Sequence, residues 1–306
     1  MRILIIGAAG QLGSTLITRL ASLGTVAGTD RAALDLRDLE AIPTALSRLQ
    51  PELILNAAAY TAVDMAEEEP DLAHLINRDA PAVIARWAAE NGRPLIHFST
   101  DYVFDGSGEA PWSETDTPGP LSVYGCSKLA GEETVRAAGG DFLIVRTSWV
   151  YTSRGTNFLR SIARLAQDRT QLRIVADQTG APTSTLVIAD ALHTILKGGA
   201  HRFRDLASEA QGIVHLTASG AASWHQFGTK IVEGLIARRV LLRTRHITAV
   251  SSEEYGARAS RPKNSVLSLE RLRDVFGISP PHWTIGLELE LDEMARNMRP
   301  ENRSTQ

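Results

Sequence analysis

The sequence predicts an α/β protein: a doubly wound parallel sheet of the Rossmann type with a smaller C-terminal substrate-binding lobe. Three observations predict it. Short apolar runs alternate with segments of helical composition through the first half. A glycine-rich turn, Gly7-x-x-Gly10-x-x-Gly13, joins the first run to the first helix. After Tyr151 the texture changes and no longer repeats.

The runs Ile3–Ile6, Leu53–Asn56, Leu95–Ser99 and Leu143–Thr147 do not alternate with polar residues. Bare runs bounded by Gly, Pro or Asn suit strands covered on both faces, as in a parallel sheet. Helices are expected over Leu12–Leu23, stopped by Gly24, over Leu39–Leu49 before Pro51, over Asp79–Asn91 before Gly92, and over Tyr124–Ala138 before Gly139-Gly140. Right-handed crossovers then generate the double winding. Later come a helix over Asn157–Gln167, an irregular stretch from Gln178 to Thr183, a helix over Leu186–Lys197 and a strand within Gly212–Thr217. This reading assigns 1–152, with segments around 186–218 rejoining, to the Rossmann domain. It assigns 153–185 and 219–300 to the lobe and 301–306 to a polar tail.

The bulk numbers exclude several classes. A formal charge of −3 over 306 residues offers no basic footprint for nucleic acid. Cys126 is the only cysteine, so an internal disulfide is ruled out and the eight histidines have no thiolate companions for a structural zinc site. The histidines show no paired spacing either. No stretch approaches the ~18 apolar residues of a membrane span, and the run after Met1 is too short for a signal peptide. A cytoplasmic protein is expected.

Gly7-Ala8-Ala9-Gly10-Gln11-Leu12-Gly13 follows a strand and opens a helix, the context a dinucleotide cradle requires. Gly7 permits the sharp turn, Gly10 lets a pyrophosphate approach bare backbone, Gly13 lets helix and strand pack closely, and the helix N-terminus favours phosphate charge. Asp30 stands where an acid binds the ribose 2'-hydroxyl of NAD. Arg31 beside it suits the 2'-phosphate of NADP, so NADPH and NADH are both open. Small residues at Ala57, Ala58 and Ala59 suit a closely lying cofactor and equally suit strand–helix packing.

Tyr124 and Lys128 form a Tyr-x-x-x-Lys pair, which a helix brings to one face. There an ammonium lowers a phenol's pKa toward working pH, and such a phenol gives a proton to a carbonyl oxygen while a nicotinamide delivers hydride. The pattern alone is weak and also describes an ordinary surface pair. Thr100 leaves a strand where its hydroxyl can bond a reacting carbonyl oxygen, although a β-branched residue is common there for structural reasons.

Together the blocks Gly7–Gly13, Asn56–Asp64, Ser99–Phe104, Tyr124–Glu132, Arg146–Tyr151, Asp177–Thr183 and Arg261–Ser265 resemble the extended short-chain dehydrogenases, and within them the dTDP-4-dehydrorhamnose reductases. The blocks span nearly the whole chain in order. The resemblance implies reduction of the C4 keto group of dTDP-4-dehydro-L-rhamnose by NADPH or NADH, the last step of dTDP-L-rhamnose synthesis. It implies Tyr124 as proton donor, Lys128 as the residue that orients the nicotinamide ribose, and Thr100 as the group polarising the keto oxygen. Gly7, Gly10, Gln11, Leu12, Asp30, Ala58, Ala59 and Thr61 match cofactor-contacting positions, with Asp35 and Leu36 near the adenine. Asp101, Tyr102 and Trp149 match the sugar pocket, where aromatic rings suit a deoxysugar's apolar faces.

One departure stands out. Some members bind magnesium across a dimer through glutamates, and two of those positions here hold Thr15 and Leu186, with Glu293 at the third. Too few carboxylates remain, so no metal is expected, and any homodimer is not metal-bridged. Two rival readings are a nucleotide-sugar epimerase or epimerase-reductase of the same fold, and a non-catalytic relative like the methionine adenosyltransferase β subunit. The first needs an added acid/base pair, which the pocket segments lack. The second has no need of an intact Thr100, Tyr124 and Lys128.

Overall fold

The computed structural model describes residues 1–298, with side chains through Arg296; the expected tail at 301–306 lies outside the described residues. Strands β1 (Arg2–Ile6), β3 (Leu53–Asn56), β4 (Leu95–Thr100) and β5 (Phe142–Thr147) follow the apolar runs, and β2 (Thr25–Thr29) is the second strand expected to end at Asp30. Between them lie α1 (Gln11–Arg19), α2 (Ala41–Leu49), α3 (Val63–Ala66), α4 (Pro70–His74), α5 (Ala80–Glu90) and α6 (Val123–Ala138).

Beyond the sheet's fifth strand come β6 (Val150–Tyr151), α7 (Phe158–Asp168), β7 (Gln171–Val175), β8 (Thr179–Gly180), β9 (Thr183–Ser184), α8 (Thr185–Leu196) and α9 (Gly199–Glu209). The chain ends through β10 (Ile213–His215), β11 (Ala222–Ser223), α10 (Trp224–Ala237), β12 (His246–Val250), α11 (Ser252–Tyr255), α12 (Glu270–Phe276) and α13 (Trp283–Met298).

Six strands form one parallel sheet in the order β10-β5-β4-β3-β1-β2. The order explains the bare apolar runs. Within β1, Ile3 and Ile5 face the layer of α1, α8 and α9, while Leu4 and Ile6 face α2 and α5, so all four are buried. A side-chain period of two gives no alternation when both faces are covered.

The later segments divide. Helix α8 lies against α1 and β10 joins β5, so both belong with the sheet. Helix α12, expected in the lobe, instead sends Leu272 and Phe276 into the sheet's core against α9 and β10. The lobe has a core of its own, built from Leu159 and Ile162 of α7, Ile174 of β7, Phe227 and Ile231 of α10, and Leu287 and Leu291 of α13. Residues 178–183, expected to be irregular, contain two short strands: β8 pairs with β11, and β9 with β6.

The helix expected from Asp79 starts earlier. Between α4 and α5 the chain makes a π-turn over Leu75–Asp79. Pro81 has no N–H to return to the carbonyl of Asn77, so the register widens there rather than breaking. Buried Asn77 uses the turn: its side chain bonds both backbone groups of Tyr60, at 2.9 and 3.0 Å, and the Ser127 hydroxyl at 3.0 Å. One asparagine thus ties the loop after β3 to helix α6.

Candidate active site

A cleft of about 760 Å³ opens over the C-terminal ends of β1, β3, β4 and β5. Its lining contains Gly7, Gly10, Gln11, Leu12, Asp30, Arg31, Asp35, Leu36, Ala58, Ala59 and Thr61 on one side, and Thr100, Asp101, Tyr102, Tyr124, Lys128 and Trp149 on the other. Of the cofactor, catalytic and sugar-pocket residues singled out from sequence, Gly13 alone is not in the lining. Its place is structural, because a Cβ there would collide with the carbonyl of Gly7.

The cradle follows from close backbone approach. Gly7 has φ +83°, and a Cβ on it would stand 2.7 Å from the nitrogen of Ala58 and 2.8 Å from its Cα. Gly10 caps α1 without a side chain, which leaves the first amides of the helix open to the cleft. At the rim, Asp30 and Arg31 are exposed, and Asp30 Oδ1 accepts from the amide of Ala33 at 3.0 Å. Asp35 is engaged by the Arg37 guanidinium, at 2.9 and 3.0 Å from Nε, and that bonding holds its carboxyl down at about 2. Gln11 is tied to the lobe: its Oε1 accepts from Asn157 Nδ2 at 2.8 Å, and its Nε2 donates to the carbonyl of Thr156 at 3.3 Å.

Helix α6 brings Tyr124 and Lys128 to the opposite wall. Ser122 caps it by accepting from Gly125 N at 3.2 Å. At Gly125 a side chain would strike the carbonyl of Tyr102, so only glycine lets the helix lie against the 3-10 turn Asp101–Val103. The rings of Tyr102 and Tyr124 meet edge to face at 5.6 Å. The Thr100 hydroxyl donates to Asp101 Oδ1 at 2.9 Å and shares a hydrogen bond with the Tyr124 phenol.

The electrostatics differ from expectation. Lys128 was expected to lower the phenol's pKa; instead burial pushes Tyr124 up to about 12, the Thr100 bond opposing it and the Asp101 carboxylate adding to it. The lysine's Nζ points elsewhere, donating to the carbonyl of Phe98 at 2.7 Å and lying 3.4 Å from His97 Nε2. Burial also brings Lys128 down to about 8, with Glu132 pulling it back up. A phenol so placed keeps its proton throughout the neutral range, the state in which it can donate.

Burial likewise raises Asp101 to about 6, against hydrogen bonds from Ser265 and Thr100. Its folded value lies above its unfolded one of 3.8, so the stability linked to this group is fully present below pH ~4 and is lost as pH rises through ~6. Asp101→Asn should therefore melt higher than the parent at pH 7, by an equivalent on the order of 3 kcal/mol, with the difference vanishing near pH 4. Melting curves from pH 4 to 7 measure this, and a constant offset would rule the explanation out.

The far end of the cleft is aromatic. Trp149, at φ +48°, stacks on Trp224 with centroids 3.5 Å apart and planes within 8°. Phe158 closes on Trp224 at 4.6 Å. Trp149 is thus backed on one face by a residue from α10. Sequence reasoning missed Asn157, Phe158 and Trp224 as cleft residues, since each caps or begins a lobe helix whose docking has no local signature.

Beneath the site, Glu132 of α6 and Arg146 of β5 form a bidentate pair at 2.9 and 2.6 Å, both side chains under 4% exposed. The guanidinium lies over the Phe104 ring at 5.0 Å.

The model of the RmlD substrate binding domain family matches residues 1–296 of the chain. The chain belongs to this family. The dTDP-4-dehydrorhamnose reductase of Burkholderia thailandensis is 42% identical over 291 residues, covering 94% of this chain and 97% of the relative. That of Shigella flexneri is 39% identical over 300 residues, covering 96% and 98%. Among solved structures, the dTDP-4-dehydrorhamnose reductase of Bacillus anthracis in complex with NADP superposes with a TM-score of 0.85 at 33% identity, covering 95% of this chain and 99% of that one. Of the three positions that the sequence reading compared with magnesium-binding glutamates, two hold Thr15 and Leu186 and the third holds Glu293. The Thr15 hydroxyl is 2.9 Å from that of Thr185, Leu186 lines a separate apolar groove, and Glu293 pairs with Arg154 at 2.7 Å. Among the described residues no cluster of three or more His, Cys, Asp or Glu could hold a metal ion, and no helix is long and apolar enough to cross a membrane.

Proposed function

We infer that this chain reduces the C4 keto group of dTDP-4-dehydro-L-rhamnose to give dTDP-L-rhamnose, using NADPH or NADH. One observation carries the reading: a dinucleotide cradle and a hydroxyl–phenol–amine triplet face each other across one cleft, in a chain of the reductases' family.

The cleft fits a nicotinamide dinucleotide. Close backbone at Gly7 and Gly10 and the open N-terminus of α1 suit its pyrophosphate, Asp30 and Arg31 its adenosine ribose, and Asp35 and Leu36 its adenine. Ala58, Ala59 and Thr61 would lie along its length. When bound, the reduced nicotinamide supplies the hydride.

The chain's own residues do the rest. Thr100 polarises the keto oxygen by turning its single hydroxyl proton from Asp101 Oδ1 to that oxygen. Tyr124 passes its phenolic proton to that oxygen as negative charge develops, since an alkoxide is far more basic than a phenolate held at about 12. Lys128 orients the nicotinamide ribose from beneath. Tyr102 and Trp149 bear on the apolar faces of the deoxysugar, and Asp101 accepts the Thr100 proton while no keto oxygen is present. We propose the same division of the chain as the sequence suggested, Rossmann core and sugar lobe, with α12 moved to the core. The absence of a carboxylate set at Thr15 and Leu186 supports a monomer or a dimer without bridging metal.

Purified protein given the keto sugar nucleotide and NADPH should oxidise the cofactor in step with product. No oxidation despite tight cofactor binding would favour a non-catalytic relative. Arg31→Ala should weaken NADPH by roughly tenfold or more and NADH little, because only NADPH carries a 2'-phosphate for the guanidinium. Equal losses in fluorescence titrations would remove Arg31 from cofactor choice.

A further inference from the structure

His97 is fully buried on β4, directly under the site's lysine, and the reaction as read above does not use it. Both of its ring nitrogens are engaged. Nδ1 lies 3.3 Å from the side-chain amide nitrogen of Asn56, and Nε2 lies 3.4 Å from Lys128 Nζ.

These contacts determine where the ring proton sits. The amide of Ala58 donates to Asn56 Oδ1 at 3.3 Å, which turns the asparagine's NH₂ toward His97. An amide NH₂ can only donate, so Nδ1 must accept. A neutral imidazole carries one proton, and with Nδ1 accepting, that proton is on Nε2, aimed at Lys128. Among the described residues no carboxylate bonds the ring, and burial holds the imidazole neutral. An uncharged amine can accept the Nε2–H; an ammonium, with no lone pair, cannot. The opposite arrangement needs Asn56 to turn over, which would set its NH₂ against the Ala58 N–H.

We propose that His97 is a positioning residue that favours the uncharged amine of Lys128 in the free enzyme, and that Asn56 enforces this by fixing the imidazole tautomer. The other groups facing the amine are the Phe98 carbonyl from β4 and, on its own helix, Glu132, whose carboxylate is occupied by Arg146 of β5. Asp101, at the end of β4, bears on Tyr124 instead. The relay joins the loop after β3, at Ala58, to the lysine on α6, so the cofactor wall and the lysine's charge are connected through two buried side chains.

The inference takes Lys128 as the site's lysine from the reading above. Its test uses side-chain protons in the free protein, so its failure is separable from a failure of the reductase reading. Nitrogen-15 spectra of histidine-labelled protein distinguish protonated from unprotonated ring nitrogens. Labelled lysine ε-carbons report amine titration, and with only four lysines in the chain Lys128 is assigned by the signal lost in Lys128→Met. We expect His97 as the Nε2–H tautomer. In Asn56→Asp the carboxylate keeps the Ala58 bond and accepts from Nδ1–H. The ring should then reverse, and the Lys128 midpoint should rise by about one pH unit or more, a tenfold gain in proton affinity. The other three lysines should not move. A native ring protonated at Nδ1 or at both nitrogens overturns the proposal, as does a variant whose ring fails to reverse or whose Lys128 midpoint stays put. Should Asn56→Asp not fold, the native tautomer decides alone.

Discussion

Replacing Tyr124 by phenylalanine should lower kcat by roughly 10²–10⁴-fold while leaving NADPH affinity within about threefold. The substitution removes one oxygen. The ring and its edge-to-face contact with Tyr102 remain, and helix α6 loses nothing that caps or packs it. What disappears is the proton for the developing alkoxide, together with a partner for Thr100. Steady-state NADPH oxidation and a fluorescence titration of the cofactor measure the two quantities, and unchanged turnover would mean that the acid lies elsewhere. Because burial keeps the phenol at about 12, its ionisation should produce no loss of activity as pH rises to about 10.

The largest stability change should come from Glu132→Ala, on the order of 3–5 kcal/mol. That substitution strands the Arg146 guanidinium in the interior with its two carboxylate bonds gone. It also removes the carboxylate that favours the charged form of Lys128, so the lysine should give up its proton more readily in the protein that does fold. Replacing both partners by apolar residues, Glu132→Met with Arg146→Leu, should recover most of the loss, since the penalty lies in an unpaired buried charge rather than in a missing attraction. Denaturant unfolding of the single and double variants compares them, and a double variant no better than the single would refute the account.

Much of the sheet and many of the residues that line the cleft were legible in the sequence, for identifiable reasons. Strands buried on both faces have to be apolar throughout, so β1, β3, β4 and β5 stand out by composition alone. A dinucleotide cradle needs bare backbone beside a helix start, so Gly7, Gly10 and Gly13 identify themselves. Edge strand β2, only partly covered, carries Thr25, Ala27 and Gly28, so its distance from the glycine turn placed it rather than its composition. The pair β7 and β12 escaped notice because each has its partner far along the chain. The π-turn did too, since Pro81 reads as a helix start and only packing keeps the chain helical through it.

By itself the sequence determined which side chains were available for chemistry and on what local element each would stand, because turn, cap and helix spacing act over a few residues. Only the tertiary structure decided their charge and company. Burial, which depends on everything packed around a group, carried the phenol's acidity upward where the neighbouring amine alone would have carried it down. The same packing placed Trp224 behind Trp149, moved α12 onto the sheet, and set His97 and Asn56 beneath the lysine. No short-range rule reaches such contacts, since they form only when distant segments meet in a low-dielectric interior.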